Sequence, residues 1–382
     1  MKKYIFLLLF VLCCSNATLL LAQTSTPARL RVSILTCDAG EDIYTAWGHT
    51  AIRIVDSVNG TDYVFNYGTF DFNTPFFITK FIKGSLNYFM SANSFPDFYN
   101  EYQFEKRDIK EQVLHLSTAE KEKWYAALRN NMVGDNRYYL YNFISDNCTT
   151  RIKNGLIANT SFSTVRPFVN TYREKVIDAP YRKGIPWIGL GIDLLLGAYS
   201  DQKPNDFQAA FLPDLLYEQN DRTRKLVEST ATYHFNDQPV TNERSQIPFQ
   251  ILIGFFIFYF FAAKTNTLLL QRIATVIDLL LMLVWGLGGT LIFYMSFMSM
   301  HTACYQNYNI MWMHPLYLLA LIFYFVKNKF IGKLGLLFMG ATVALLISQY
   351  WLPQHFSKEI FILIGITMVL NYRFIQKGRY AV

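Results

Sequence analysis

Histidine and cysteine are scarce in this chain, and the scarcity narrows its chemistry. There are six histidines and five cysteines among 382 residues. No His-Glu-x-x-His and no paired Cys-x-x-Cys pattern occurs, so no metal site is expected. A glycine-rich phosphate loop is also missing, which removes the nucleotide-binding motifs, and nothing calls for a cofactor. Only 16% of residues are charged. The formal net charge of +7 comes from lysines and arginines that flank apolar runs or lie scattered. They form no basic stripe with interleaved aromatics, so nucleic acid is not an expected partner. The cysteines make no disulfide framework. Cys13 and Cys14 fall in an N-terminal leader, which leaves an odd, widely spaced set of Cys37, Cys148 and Cys304. In an exported protein a cysteine kept free invites a chemical explanation, and a Cys37–Cys148 bridge is the structural alternative.

What the chain has in excess is apolar sequence, 52% of residues with 17% aromatic, and it is unevenly spread. Met1-Lys2-Lys3 followed by an apolar run to Leu21-Ala22 has the form of a secretory signal over residues 1–22, with an uncleaved anchor as the alternative. Residues 23–245 read as an exported globular domain, and Gln238-Pro239-Val240-Thr241-Asn242 as a linker. Residues 246–382 read as a membrane domain with helices near 247–263, 274–298, 312–326, 334–352 and 357–371. Lys264 and Arg272 in the first loop, Lys327, Lys329 and Lys333 in the third, and Arg373, Lys377 and Arg379 in the tail mark those segments as cytoplasmic. An odd number of spans then puts the N-terminal domain in the periplasm and the C-terminus in the cytoplasm.

Within the exported domain, Arg29-Leu30-Arg31-Val32-Ser33-Ile34-Leu35-Thr36 alternates as a first strand. Two β-rich runs, 47–56 and 63–70, flank Asn59-Gly60, a strong hairpin signal. Residues 72–102 carry little periodicity and receive no assignment. Residues 111–116 predict a strand, Ser117-Thr118-Ala119-Glu120 a capping box opening a helix to about 132, and 138–144 another strand. Residues 185–197 are apolar but too short to span. They suit a buried helix or an interfacial one, and Asp193 favours burial. Residues 200–245 are polar.

The stretch Ser145-Asp146-Asn147-Cys148-Thr149-Thr150 places a cysteine where a strand gives way to a helix. Unpaired N–H groups and the helix dipole favour a thiolate there, whereas a free cysteine is otherwise a small core hydrophobe. A thiol nucleophile needs a base within reach, and His49 in Trp47-Gly48-His49-Thr50 is better placed than His115 or His234. Across the hairpin, Asn66 is the first choice to orient the imidazole and Asp71 the second. Trp47 and Asn147 are expected to support the site. His301 and His314 flank the second membrane loop and suit a headgroup or a metal ion, although polar residues at helix ends are commonplace. Asp278, an ionisable residue within a span, is a functional candidate or a snorkelling side chain.

The Trp-Gly-His strand preceding an Asn-Cys helix start resembles the circularly permuted papain-like arrangement of the NlpC/P60 and lecithin:retinol acyltransferase-like families. Where those acyltransferases carry a second histidine, this chain has Asp62. A resemblance over nearly the whole chain rests on several motifs. These are Leu35-Thr36-Cys37, Trp47-Gly48-His49-Thr50-Ala51-Ile52-Arg53, Asn66-Tyr67-Gly68-Thr69-Phe70-Asp71, Asp146-Asn147-Cys148-Thr149-Thr150-Arg151 and Phe211-Leu212-Pro213-Asp214. Together they are similar to the Bacteroides-type lipoprotein N-acyltransferase family. The resemblance implies an α+β permuted papain-like periplasmic domain followed by an all-α membrane domain in the bacterial inner membrane. It implies a phospholipid acyl donor, a Cys148 thioester and a diacylated lipoprotein acceptor. A membrane-anchored NlpC/P60-like peptidase or amidase, and a non-enzymatic envelope receptor or scaffold, are the competing readings.

Overall fold

The computed structural model describes residues 29–162, 169–182, 184–235, 244–326 and 328–380. The expected leader and the 238–242 linker lie outside the described residues, as does Lys327. The described chain is an antiparallel-sheet domain followed by a helical domain with five candidate membrane helices.

The sheet contains β1 (Leu30–Cys37), β2 (His49–Asp56), β3 (Thr61–Thr69), β4 (Asn87–Ser94), β5 (Ile109–Leu114), β6 (Tyr138–Leu140) and β7 (Val227–Tyr233). Their spatial order is β6-β4-β3-β2-β1-β5-β7. β2 is central and nearly all buried, because both of its faces are covered. On one face Ile52 and Ile54 pack with Trp124 and Leu128 of α3 (Thr118–Asn131) and with Ile152 and Leu156 of α4 (Cys148–Asn159). On the other, Ala51 packs with Phe98 and Tyr102 of α2 (Phe95–Phe104). Gly48 enters β2 with φ +77, and a Cβ there would lie 2.4 Å from the Cys37 carbonyl oxygen. Only glycine fits this left-handed turn.

The domain continues through α5 (Tyr172–Arg182), α6 (Pro186–Leu195) and α7 (Pro213–Arg222). The apolar 185–197 stretch contains α6, which buries Pro186, Gly189, Leu190 and Asp193 and leaves Trp187 exposed. Its Asp193 is fully buried and paired with Arg173 at 2.6 Å, so the carboxylate meets a cation instead of lipid. The candidate spans are Ile247–Lys264 (α8), Leu268–Phe297 (α9), Tyr308–Phe325 (ending in α10, Leu316–Phe325), Phe330–Ser348 (α11) and Lys358–Gly378 (within α12, Lys358–Tyr380). Asp278 does not snorkel. Its carboxylate accepts from Tyr259 and from Arg373, joining three helices.

Several local expectations change. The 138–144 strand stops at Leu140, because Asn142 and Asp146 exchange backbone hydrogen bonds in a tight turn. The unassigned 72–102 region holds α1 (Phe77–Lys83), β4 and α2. The polar 200–245 region supplies β7, an edge strand whose mostly exposed side chains hide its pattern. Arg272 lies inside the second span, at the same end as Lys264, and not in a loop; Lys333 lies inside the fourth span, and Arg373 and Lys377 inside the fifth and not in a tail.

The two units share a wall. Gly197 N–H donates to the Ala303 carbonyl at 2.9 Å and Ala198 N–H to the Gln306 carbonyl at 3.1 Å. A Cβ at Gly197 would lie 2.0 Å from the Tyr305 carbonyl oxygen, so a side chain there must push two backbones apart. Gly197→Ala is expected to lower stability by about 1–3 kcal/mol, as overpacking does. The measurement is the unfolding midpoint of the full-length protein in detergent, and an unchanged midpoint would show that this contact carries no weight.

Candidate active site

The loop before α4 is held by a dense set of local bonds. Asn147 caps the helix: its side-chain oxygen accepts from the Thr150 N–H at 2.9 Å, and its own N–H donates to the Thr150 hydroxyl at 2.8 Å. The Asn147 amide also donates to the Phe143 and Phe211 carbonyls, at 2.7 and 2.9 Å. Arg151 clamps Asp146 with two bonds, at 2.7 and 2.8 Å. Cys148 therefore occupies the first helical position on a loop with little freedom. The neighbouring Thr149 hydroxyl meets the Thr50 hydroxyl at 2.9 Å, seating the helix start against β2.

That seating brings Cys148 to His49. Each acts on the other's titration through charge and hydrogen bonding. The His49 Nε2 lies 3.2 Å from the Asn66 side-chain oxygen. Asn66 reaches this place because β3 pairs with β2 in the register Ala51↔Asn66. It shares a face with His49 two residues along. Burial acts most strongly on Cys148 and pushes its thiol up. The charge and hydrogen bond of His49, helped by the Thr50 backbone N–H and the Thr149 hydroxyl, outweigh burial and hold the thiol below its ordinary value. Burial also acts first on His49, against its charge; the Cys148 thiolate and the Asn66 bond more than reverse it and raise the imidazole. Each group thus shifts the other toward its charged form. Burial pushes Cys37 and Cys304 up to about 12, so neither shares this reactivity. All three described cysteines are free, with no Cys37–Cys148 bridge.

Cys148 and His49 line a cavity of about 300 Å³. Its walls are mainly apolar and come from both units: Phe70, Tyr88 and Phe211 from the sheet domain, Ile192 and Leu195 from α6, and Met295 from the second span. Trp47 and Asn147 also line it, with the Trp47 indole N–H donating to the Val176 carbonyl at 2.8 Å. His301 lines it too, while its Nε2 bonds the Phe81 carbonyl at 2.8 Å.

The structure does not bring the other candidates to this place. Asp71 is exposed and accepts from the Asn73 N–H. His314 packs between Tyr317 and Phe338 inside the membrane domain, apart from the cavity. Asp62 pairs with Arg53 at 2.6 Å and has no part in orienting His49. No group of three or more potential metal ligands exists among the described residues.

Two family models match the chain. The Lnb N-terminal periplasmic domain matches residues 20–182, and the Lnb transmembrane domain matches residues 241–378. The chain belongs to the Lnb family. No curated protein and no solved structure matches it. Membership of the Lnb family points to a multi-pass membrane protein with a periplasmic domain and a function related to lipoprotein N-acylation.

Sequence reasoning missed Thr50 and Thr149 as the bolt between strand and helix, and Tyr141 as a cavity wall. Neither a threonine in a strand nor a tyrosine in an aromatic run carries a signal of its own. The electrostatics give a direct test. Alkylation of Cys148 by a neutral haloacetamide should climb at a pH below that of an ordinary thiol. In His49→Ala burial remains while the opposing charge is gone, so the inflection moves to higher pH. The rate at pH 7 should fall roughly tenfold or more. Superposable pH profiles would exclude the pairing.

Proposed function

We propose that this protein is a lipoprotein N-acyltransferase acting from the outer face of the bacterial inner membrane. The observation that carries this reading is the apolar cavity holding the Cys148–His49 pair and walled jointly by the sheet domain and a membrane helix. A peptidase needs a polar groove open to solvent and one anchoring span. Here five candidate spans and an apolar cavity at the unit boundary suit a substrate that stays in the bilayer. The charge pattern supports a C-terminus in the cytoplasm. The loops after the second and fourth spans, which touch the sheet domain through Ala303 and Gln354, then lie on the periplasmic side.

In the proposed reaction the Cys148 thiolate attacks the carbonyl carbon of a phospholipid acyl ester. The N–H at the start of α4 has no intrahelical partner and stabilises the oxyanion that forms. As the intermediate collapses, the His49 imidazolium gives its proton to the departing lysophospholipid oxygen, leaving an acyl thioester on Cys148. The α-amine of a diacylglyceryl-cysteine lipoprotein then attacks the thioester carbonyl, and neutral His49 takes the amine proton. Expulsion of the Cys148 sulfur completes the amide. Asn66 keeps the ring in the tautomer and orientation that both steps need. Trp47 and Asn147 hold the loops on either side.

Lipoproteins from a host with the protein should carry one more acyl chain on the N-terminal cysteine than those from a host without it, by mass spectrometry. An unchanged N-terminus would sink the reading, and release of cell-wall peptides would favour a hydrolase. Cys148→Ala should abolish the added chain, and His49→Ala should slow its addition about 10²–10⁴-fold. Asn66→Ala should cost roughly 10²-fold, the scale of a misplaced catalytic group.

A further inference from the structure

The segment between β3 and β4 is the strangest surface of the sheet domain. Phe72, Phe76 and Ile78 are 61%, 81% and 68% exposed, and no residue of α1 is buried. Phe76 adopts φ 58 and ψ 36, a left-handed conformation that bulky side chains avoid. Facing water, this combination would be a defect, since soluble surfaces seldom gather large apolar side chains in one patch.

The patch continues into the membrane domain. The Met300 N–H donates to the Lys83 carbonyl at 2.9 Å, and His301 holds the Phe81 carbonyl at 2.8 Å. Met300 lies three residues past the second span, at whose end Phe297 and the capping Met298 are exposed, as lipid-facing residues are. Aromatic rings also run inward from the patch. Phe72 meets Tyr44 and Phe70, and Phe77 meets Phe70, Phe72 and Phe81. Tyr44, Phe70 and Phe81 are walls of the Cys148 cavity. One apolar path therefore joins a lipid-facing helix end, an exposed aromatic segment and the nucleophile. Lys80 and Lys83, in the last turn of α1, add cations suited to headgroup phosphates beside a ring-rich belt.

We propose that residues 72–83 dip into the bilayer surface on the side of the sheet domain and form the portal through which a lipid acyl chain reaches Cys148. The occupant is the lipid itself, because the patch is continuous with the lipid-facing end of the second span. The portal role rests on the acyltransferase reading; the immersion of the segment does not.

The test uses the full-length protein in phospholipid nanodiscs. A nitroxide label is placed on Phe76→Cys in a Cys13→Ser, Cys14→Ser, Cys148→Ala background, where Cys37 and Cys304 are buried and stay unlabelled. The reference is the same label on Val58→Cys, an exposed position in the turn between β2 and β3. Position 76 should relax severalfold more strongly with oxygen than with a polar nickel chelate, while position 58 shows the reverse. Equal nickel access at both positions would overturn the immersion. In the Cys148-containing protein, Phe76→Asp should slow acyl transfer from bilayer phospholipid severalfold and leave haloacetamide alkylation of Cys148 unchanged. Undiminished transfer would overturn the portal. A protein that is immersed at position 76 yet acylates no lipoprotein would refute the acyltransferase reading and leave the immersion standing.

Discussion

The contact between the first turn of α4 and the head of β2 is the constraint on which the site depends. The Thr50 and Thr149 hydroxyls meet at 2.9 Å where both are fully buried, so losing Thr149 removes the partner of a buried Thr50 hydroxyl. With the helix start fixed there, Cys148 meets His49 at the strand head, and the hairpin register delivers Asn66 to the ring's far nitrogen. A shift of one residue in the β2–β3 pairing would turn Asn66 to the opposite face of the sheet.

The junction with the membrane domain follows a second constraint, that buried polar groups be satisfied. Arg173 is almost fully buried, yet its guanidinium finds Asp193, Asp201 and the Leu196 and Gly197 carbonyls. Asn307, from the loop after the second span, donates to the Leu194 and Leu195 carbonyls at the end of α6. α6 is thereby held from both sides: its Ile192 and Leu195 face the Cys148 cavity, and its Asp193 faces Arg173. This is why an apolar helix too short to span is retained next to five longer ones. It is the shared wall.

The parts legible in the sequence were those encoded by local patterns. Asn59-Gly60 marked the β2–β3 hairpin, Ser117 and Glu120 the cap of α3, and Asn147 before Cys148 the start of α4. The apolar runs gave five spans, with ends wrong by several residues: the second and third begin earlier, where Leu268 to Thr275 and Tyr308 to Met311 mix polar and apolar side chains, the fourth is shifted by four residues and the fifth runs on to Gly378. β7 escaped notice because an edge strand with exposed side chains lacks the alternation that marks a half-buried one. Asn66 ranked ahead of Asp71 without being separable from it, since hairpin register cannot be read to one residue from sequence.

The sequence by itself determined the division into a sheet domain and a membrane domain, the helix-start cysteine and the histidine able to serve it. Each of these follows from composition or from spacing within a few residues. Only the tertiary structure decided that Asn66 and not Asp71 reaches His49, that His314 stays within the bundle, and that the cavity takes walls from segments as distant as Tyr44 and Met295. It also decided that the exposed apolar side chains of residues 72–81 lie beside the end of the second span. Those outcomes depend on which surfaces meet across the fold, and the burial that selects them is a property of the packed chain, with no counterpart in any single stretch of it.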